Sequence, residues 1–301
     1  MKSFRIGLFC VVAAVVLIPL QWNSGEGASS PPPAVLAFGS NRVGGVFEVF
    51  ILNADFTQTQ ITSDCCYNAR PNWSHNRQHI TFTACKITDT SCEIYVMNPD
   101  GSGQTDVSNN PATEQMSVWS PDDTKIAFVS DRDGIDQIYV MNADGSVQTR
   151  LSDLTGFDFF PSWSPDGSKI AFLSYRTGNG QIFVMNADGS NPVNISQSAT
   201  NDAFPAWSPR GDKIAFQRGP FGNGQIYVMN VDGSGQTPLT NNSADNYYPA
   251  WSPTGEQLAF VSNRSGNYQL YFTNSNGAAQ LRITHDDAFD ADPAWAATLP
   301  H

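Results

Sequence analysis

Six residues carrying side-chain oxygens recur at one place in this sequence. Asn68, Glu114, Asp158, Asp202, Asn246 and Asp290 each stand five positions before a tryptophan. Drawn together, four carboxylates and two amides would offer the oxygen donors that a hard cation such as Ca²⁺ prefers. A second series is cationic. Arg42, Arg132, Arg176 and Arg264 each follow a serine by two residues, Arg218 comes two positions early, and Lys86 takes the place in the most diverged unit. Guanidinium groups pair bidentately with carboxylates, so the first reading of the two series is a set of ion pairs that lock neighbouring repeats. A bound cation is the second. Acid–base catalysis needs one differentiated pair of groups rather than a symmetric set, so no catalytic residue is expected here.

Other chemistry is sparse. The histidines (His75, His79, His285 and His301) are scattered, and no G-x-S-x-G nucleophile motif is present. N-x-D-G-S turns begin at Asn98, Asn142, Asn186 and Asn230. They lack the spacing of a calcium loop and read as hairpin turns. Aromatic residues follow the oxygen-bearing positions. Phe159, Phe204 and Tyr248, with Phe160 and Tyr247 beside them, could form a contact surface together with Arg42, Arg132, Arg176 and Arg264, although packing between repeats explains them equally.

The elements that must position these residues follow from one period. Tryptophans fall at 73, 119, 163, 207, 251 and 295, with spacings of 46, 44, 44, 44 and 44. Each unit holds four short apolar runs: P-x-W, then K-I-A-F after a W-S-P-D-G turn, then Q-I-Y-V-M, then a run reached through N-A-D-G-S and ending in Leu-Ser or Leu-Thr. Four strands in about 44 residues match a propeller blade, and helical periodicity is absent. Phe38 has no tryptophan ahead of it and Trp295 has no I-A-F behind it. Joining the two ends gives six complete blades and closes the ring, which removes exposed strand edges. The expected fold is an all-β, six-bladed propeller over residues 34–301, with the C-terminal strand completing the N-terminal blade.

Composition narrows the function. The net charge is −12 with only 15% charged residues, which argues against nucleic-acid and anionic-lipid partners. Lys2 and Arg5 precede an apolar run from Ile6 to Leu20 and then a small, polar stretch, the order of a secretory signal peptide over residues 1–27. A Pro-rich linker spans 28–33. The expectation is export to the periplasm or outside the cell, with no membrane insertion after leader removal, as a monomer. Export places Cys65, Cys66, Cys85 and Cys92 in an oxidising compartment, where disulfides are expected. A Cys85–Cys92 bridge would staple the one enlarged loop; cross-pairing with Cys65 and Cys66 is an equal competitor.

The run W-S-P-D-G-x-K-I-A-F-x-S-x-R, followed by Q-I-Y-V-M-N-A-D-G-S, resembles the repeat of TolB-type propellers over about 260 of the 301 residues. That family's TolB is a periplasmic protein with an α/β domain ahead of its propeller, and it binds protein partners of the Tol–Pal system. Here the leader is expected to run straight into the first blade, without that domain. Similar repeats occur in oligogalacturonate lyases and as non-catalytic propellers of peptidases, so the fold alone does not settle function. The resemblance and the scattered histidines together imply a protein-binding or scaffold module rather than an enzyme, docking through the face that carries the Asp/Arg ring. The alternative is an extracellular polysaccharide lyase similar to oligogalacturonate lyase.

Overall fold

Each P-x-W run forms the innermost strand of a four-stranded sheet. The computed structural model describes residues 36–63, 66–85, 91–220 and 222–297. The expected leader and linker, Cys65 and Lys86 lie outside the described residues. Twenty-four strands run from β1 (Leu36–Ser40) to β24 (Asp290–Trp295), and they make six antiparallel sheets with no helix among the described residues. The inner strands are β4 (Tyr67–Trp73), β8 (Glu114–Trp119), β12 (Asp158–Trp163), β16 (Asp202–Trp207), β20 (Asn246–Trp251) and β24. Each contacts the next around a closed circle. Five sheets follow chain order, while the sixth is assembled from both ends: β24 pairs β1, with Leu36 opposite Trp295 and Ser40 opposite Asp290. The six-bladed propeller with this closure is the fold expected from the repeat.

The second strand of every blade is buried on both faces, which is why it reads as a near-continuous apolar run instead of an alternating one. Phe38, Phe82, Phe128, Phe172, Phe216 and Phe260 are each fully buried, and each packs against an aromatic ring on the third strand 5.6–5.9 Å away at an interplanar angle of 30–37°. Burying one such ring contributes roughly 1.5–3 kcal/mol.

Neighbouring blades are joined by hairpin glycines. Gly189 has a φ of +86°, and a Cβ there would stand 2.3 Å from the Leu151 carbonyl oxygen of the preceding blade. Gly145 and Gly233 meet Val107 and Ile195 in the same way. The glycine of N-A-D-G-S therefore serves both a left-handed turn and close contact between blades. Beside it Gln148 and Gln236 donate to the carbonyls of Ser108 and Ser196 in the blade before. Cys85 and Cys92 face each other across β5 (Ile80–Cys85) and β6 (Cys92–Met97) and are disulfide-bonded, which resolves the open pairing for these two cysteines.

Candidate functional site

The Asp/Arg ring is a set of pairs inside blades, not between them. Arg176 donates from Nε to Ser174 Oγ at 2.8 Å and from Nη2 to Asp158 Oδ2 at 2.9 Å, and it lies over the rings of Phe172 and Phe183. All of these residues belong to one blade. Arg132 repeats the pattern with Ser130 and Glu114, and Arg42 with Ser40 and Asp290. Arg264 does so with Ser262 and the Asn246 amide oxygen. Arg218, two residues early, stands where the others have serine and still holds Asp202 through two bonds of 2.7 Å. In the blade without an arginine at this place the contact does cross between blades: Asn68 donates to Glu48 Oε2 of β2 (Glu48–Leu52) in the preceding blade, which also accepts from Thr62.

Glu114, Asp158, Asp202 and Asp290 are 0% exposed, so the ring is interior rather than a channel mouth. Burial pushes the carboxyls of Glu114, Asp158 and Asp290 up, against the opposing pull of their serine and arginine partners. No three His, Cys, Asp or Glu side chains among the described residues gather in a way that could hold a metal ion. What sequence spacing grouped as one ring of donors is thus held apart, blade by blade.

Two residues further along each inner strand is a position that sequence reading did not single out as a set. The pairing of β12 with its neighbour β13 (Lys169–Ser174) skips from Phe159–Leu173 to Ser162–Ala171. Phe160 and Pro161 thus oppose the single residue Phe172, a β-bulge, and proline suits it because it has no N–H to give the ladder. The same skip occurs in all six blades. Arg70, Met116, Phe160, Phe204, Tyr248 and Asp292 all have φ between 51° and 59° there, a left-handed conformation that L-residues adopt at a cost of about 1–2 kcal/mol. Six identical bulges re-aim six different side chains.

These six residues form the floor of a cavity of about 530 Å³ along the propeller axis. Its walls are the six repeat tryptophans, and its mouth carries His75 with Pro121, Pro165, Pro209 and Pro253 of the W-S-P turns. It therefore opens on the face opposite the Asp/Arg ring. The floor has two halves. Met116, Phe160 and Phe204 are apolar, with Phe160 and Phe204 edge-to-face at 4.5 Å and Phe204 packed on Tyr248 at 4.3 Å. Tyr248, Asp292 and Arg70 form the polar half. Arg70 Nη1 donates to Gln115 Oε1 at 2.7 Å, and its guanidinium lies 5.6 Å from the Phe160 ring centre. Burial pushes the Asp292 carboxyl up, opposed by Arg70.

Of the expected contact aromatics, Phe204 and Tyr248 lie on this floor and Phe159 does not. Phe159 stacks on Phe157 and meets Tyr175 edge-on near the ring face. Arg70, Met116 and Asp292 were not singled out. Their signal was available in the residue three before each tryptophan, which runs Arg, Met, Phe, Phe, Tyr and Asp from blade to blade.

The architecture is that of a closed six-bladed propeller carrying an axial, aromatic-walled cavity with an asymmetric floor. The TolB beta propeller domain model matches residues 69–220 and 195–298, and the chain belongs to that family. Its structure is similar to TolB from Acinetobacter baumannii, with 19% identity, a TM-score of 0.75, and 88% of this chain covering 67% of that one. A putative TolB from Agrobacterium tumefaciens is similar at 17% identity and a TM-score of 0.71, covering 87% of this chain and 97% of that one. An oligogalacturonate lyase in complex with manganese is similar at 13% identity and a TM-score of 0.55, covering 83% and 72%. At these identities the likeness is one of fold. No curated protein sequence matches the chain.

Proposed function

We propose that this chain is an exported, non-enzymatic binding module that engages a protein through the cavity mouth on the W-S-P face. The observation that carries this reading is the axial cavity, whose walls repeat with the blades while its floor does not. A rigid symmetric scaffold with one variable, half-polar floor suits recognition, since specificity needs polar groups placed asymmetrically in an apolar pocket. Family membership supports a binding role, and the Cys85–Cys92 bridge suits an oxidising compartment. The ring face was the docking surface expected from sequence. The ring's carboxylates are buried and its arginines are committed to partners within their own blades, so this proposal places docking at the opposite face.

Photo-crosslinking side chains placed at His75 and Pro165 on the mouth are expected to capture one discrete protein from cell-envelope extract. The same groups at Thr177 and Ala199 on the ring face are expected to capture none. Capture from the ring face only, or release of unsaturated products from pectic oligosaccharides by the purified protein, would overturn the proposal.

A further inference from the structure

The two charges on the cavity floor are not equivalent. Arg70 is turned to Gln115 and to the Phe160 ring, and its Nε is enclosed with no partner and out of a ligand's reach. Asp292 is half-buried, lines the cavity, and receives no hydrogen bond from any side-chain donor among the described residues. Its favourable neighbours are the Arg70 guanidinium and backbone N–H, and these do not offset the cost of burying the charge. A carboxylate in such a place has a backbone donor but no side-chain donor, and the nearby Arg70 guanidinium is shared among Gln115, Tyr248 and Asp292.

The surroundings say which donor. Tyr248 lies near Asp292 on the floor and packs tilted against Phe204, and aromatic faces attract cations. The tryptophan and proline walls suit an alkyl stem leading down to a charged head. The chain's net charge of −12 raises the local concentration of cations near a cleft.

From this arrangement we propose that the cavity binds an alkylammonium group, its head on Asp292 and Tyr248 and its stem against the tryptophan walls. The group is a lysine side chain of a protein or a free alkylamine; the chemistry at Asp292 is the same for both. The inference rests on the cavity being the binding site, as proposed above. It does not need a protein partner for its test.

Because the repeat tryptophans wall the cavity, their fluorescence reports occupancy. Titration with n-butylammonium is expected to give a saturable change at a concentration at least tenfold lower than n-butanol requires, with butyrate giving none. Asp292→Asn is expected to raise the butylammonium Kd at least tenfold and leave that of n-butanol unchanged. Should that variant fail to fold, the pH dependence of the wild type serves instead. Arg70, Tyr67, Tyr247 and Tyr248 face Asp292, and of these groups only the carboxylate gains a proton on acidification. Butylammonium binding is therefore expected to weaken from pH 7 to pH 4 equally in the wild type and in His75→Gln, which removes the imidazole at the mouth. Equal binding of the amine and the alcohol, preference for butyrate, or an amine affinity indifferent to both Asp292→Asn and pH would overturn the inference. An Ala-Lys-Ala peptide blocked at both ends assigns the source: tighter than butylammonium, it is a protein's lysine; weaker, a free amine. Failure here alongside capture of a protein at His75 and Pro165 removes this inference and leaves the proposed function standing.

Discussion

Arg176 and Asp158 show how this chain buries charge without exposing it to an open channel. The guanidinium is held by a serine, a carboxylate and two aromatic faces within one blade, so its geometry is set locally. Removing one partner leaves the other buried and unpaired. Arg176→Ala is expected to lower stability by about 3–5 kcal/mol, while Asp158→Asn combined with Arg176→Met is expected to cost clearly less, both read from urea unfolding. One oxygen of each of Glu114, Asp158 and Asp290 is buried without a hydrogen-bond partner among the described residues, but the other is held by arginine and no three acidic side chains gather, so Ca²⁺ and EDTA are expected to leave Tm unchanged. A calcium-dependent rise in Tm would instead place an ion among the ring carboxylates.

At the scale of elements, the turns and the inner strands respond to acid in opposite senses. The turn aspartates, such as Asp122, Asp144, Asp188 and Asp232, are held below 3.8 by Ser or Thr hydroxyls and backbone N–H groups two residues on or nearby. Asp166 is lowered to about 2. Their contribution is complete above 3.8 and is lost as pH falls through these depressed values. Glu114, Asp158 and Asp290 are raised, so the native state holds their protons more tightly and their contribution grows as pH falls from neutral. Tm is therefore expected to hold or rise from pH 7 to about 4 and to drop below it, in a thermal scan against pH. A Tm that falls steadily from pH 7 would contradict this.

The turns were legible because glycine and aspartate are required by geometry at fixed places. Gly189→Ala is expected to cost at least about 2 kcal/mol in urea unfolding, since a positive φ and a contact with Leu151 both penalise the added carbon. The bulges were not legible. A two-residue skip in a six-residue strand leaves no trace in an apolar pattern, and Phe160 and Pro161 read equally well as ordinary strand. That skip decides which side chains face the axis, so Phe204 and Tyr248 were found among aromatics while Arg70 and Asp292 were passed over. The ion pairs were legible as pairs, but not as contacts within one blade, because position in the repeat does not say which arginine meets which carboxylate.

At the scale of the molecule, closure carries the fold. β24 lies in a sheet with β1, and Arg42 bridges the two ends to Asp286 and Asp290. Deleting residues 290–301 removes one inner strand, exposes both edges of the ring, and is expected to abolish cooperative unfolding by circular dichroism. Six tryptophans at a fixed period made this architecture legible, because a period near 44 admits few other folds. The axial cavity was not legible, because the bulges that aim six side chains at the axis leave no mark in the sequence pattern.

The claim that joins these scales is that the W-S-P face, and not the Asp/Arg face, is the binding face. It is tested most directly by measuring the Kd of the protein captured at His75 and Pro165 for two double variants. Pro165→Arg with Pro209→Arg crowds the cavity mouth, and Thr177→Arg with Ala199→Arg crowds the opposite face. The account predicts that the mouth pair raises Kd at least tenfold and the other pair leaves it unchanged. Unchanged binding by the mouth pair, with loss in the ring-face pair, would contradict it.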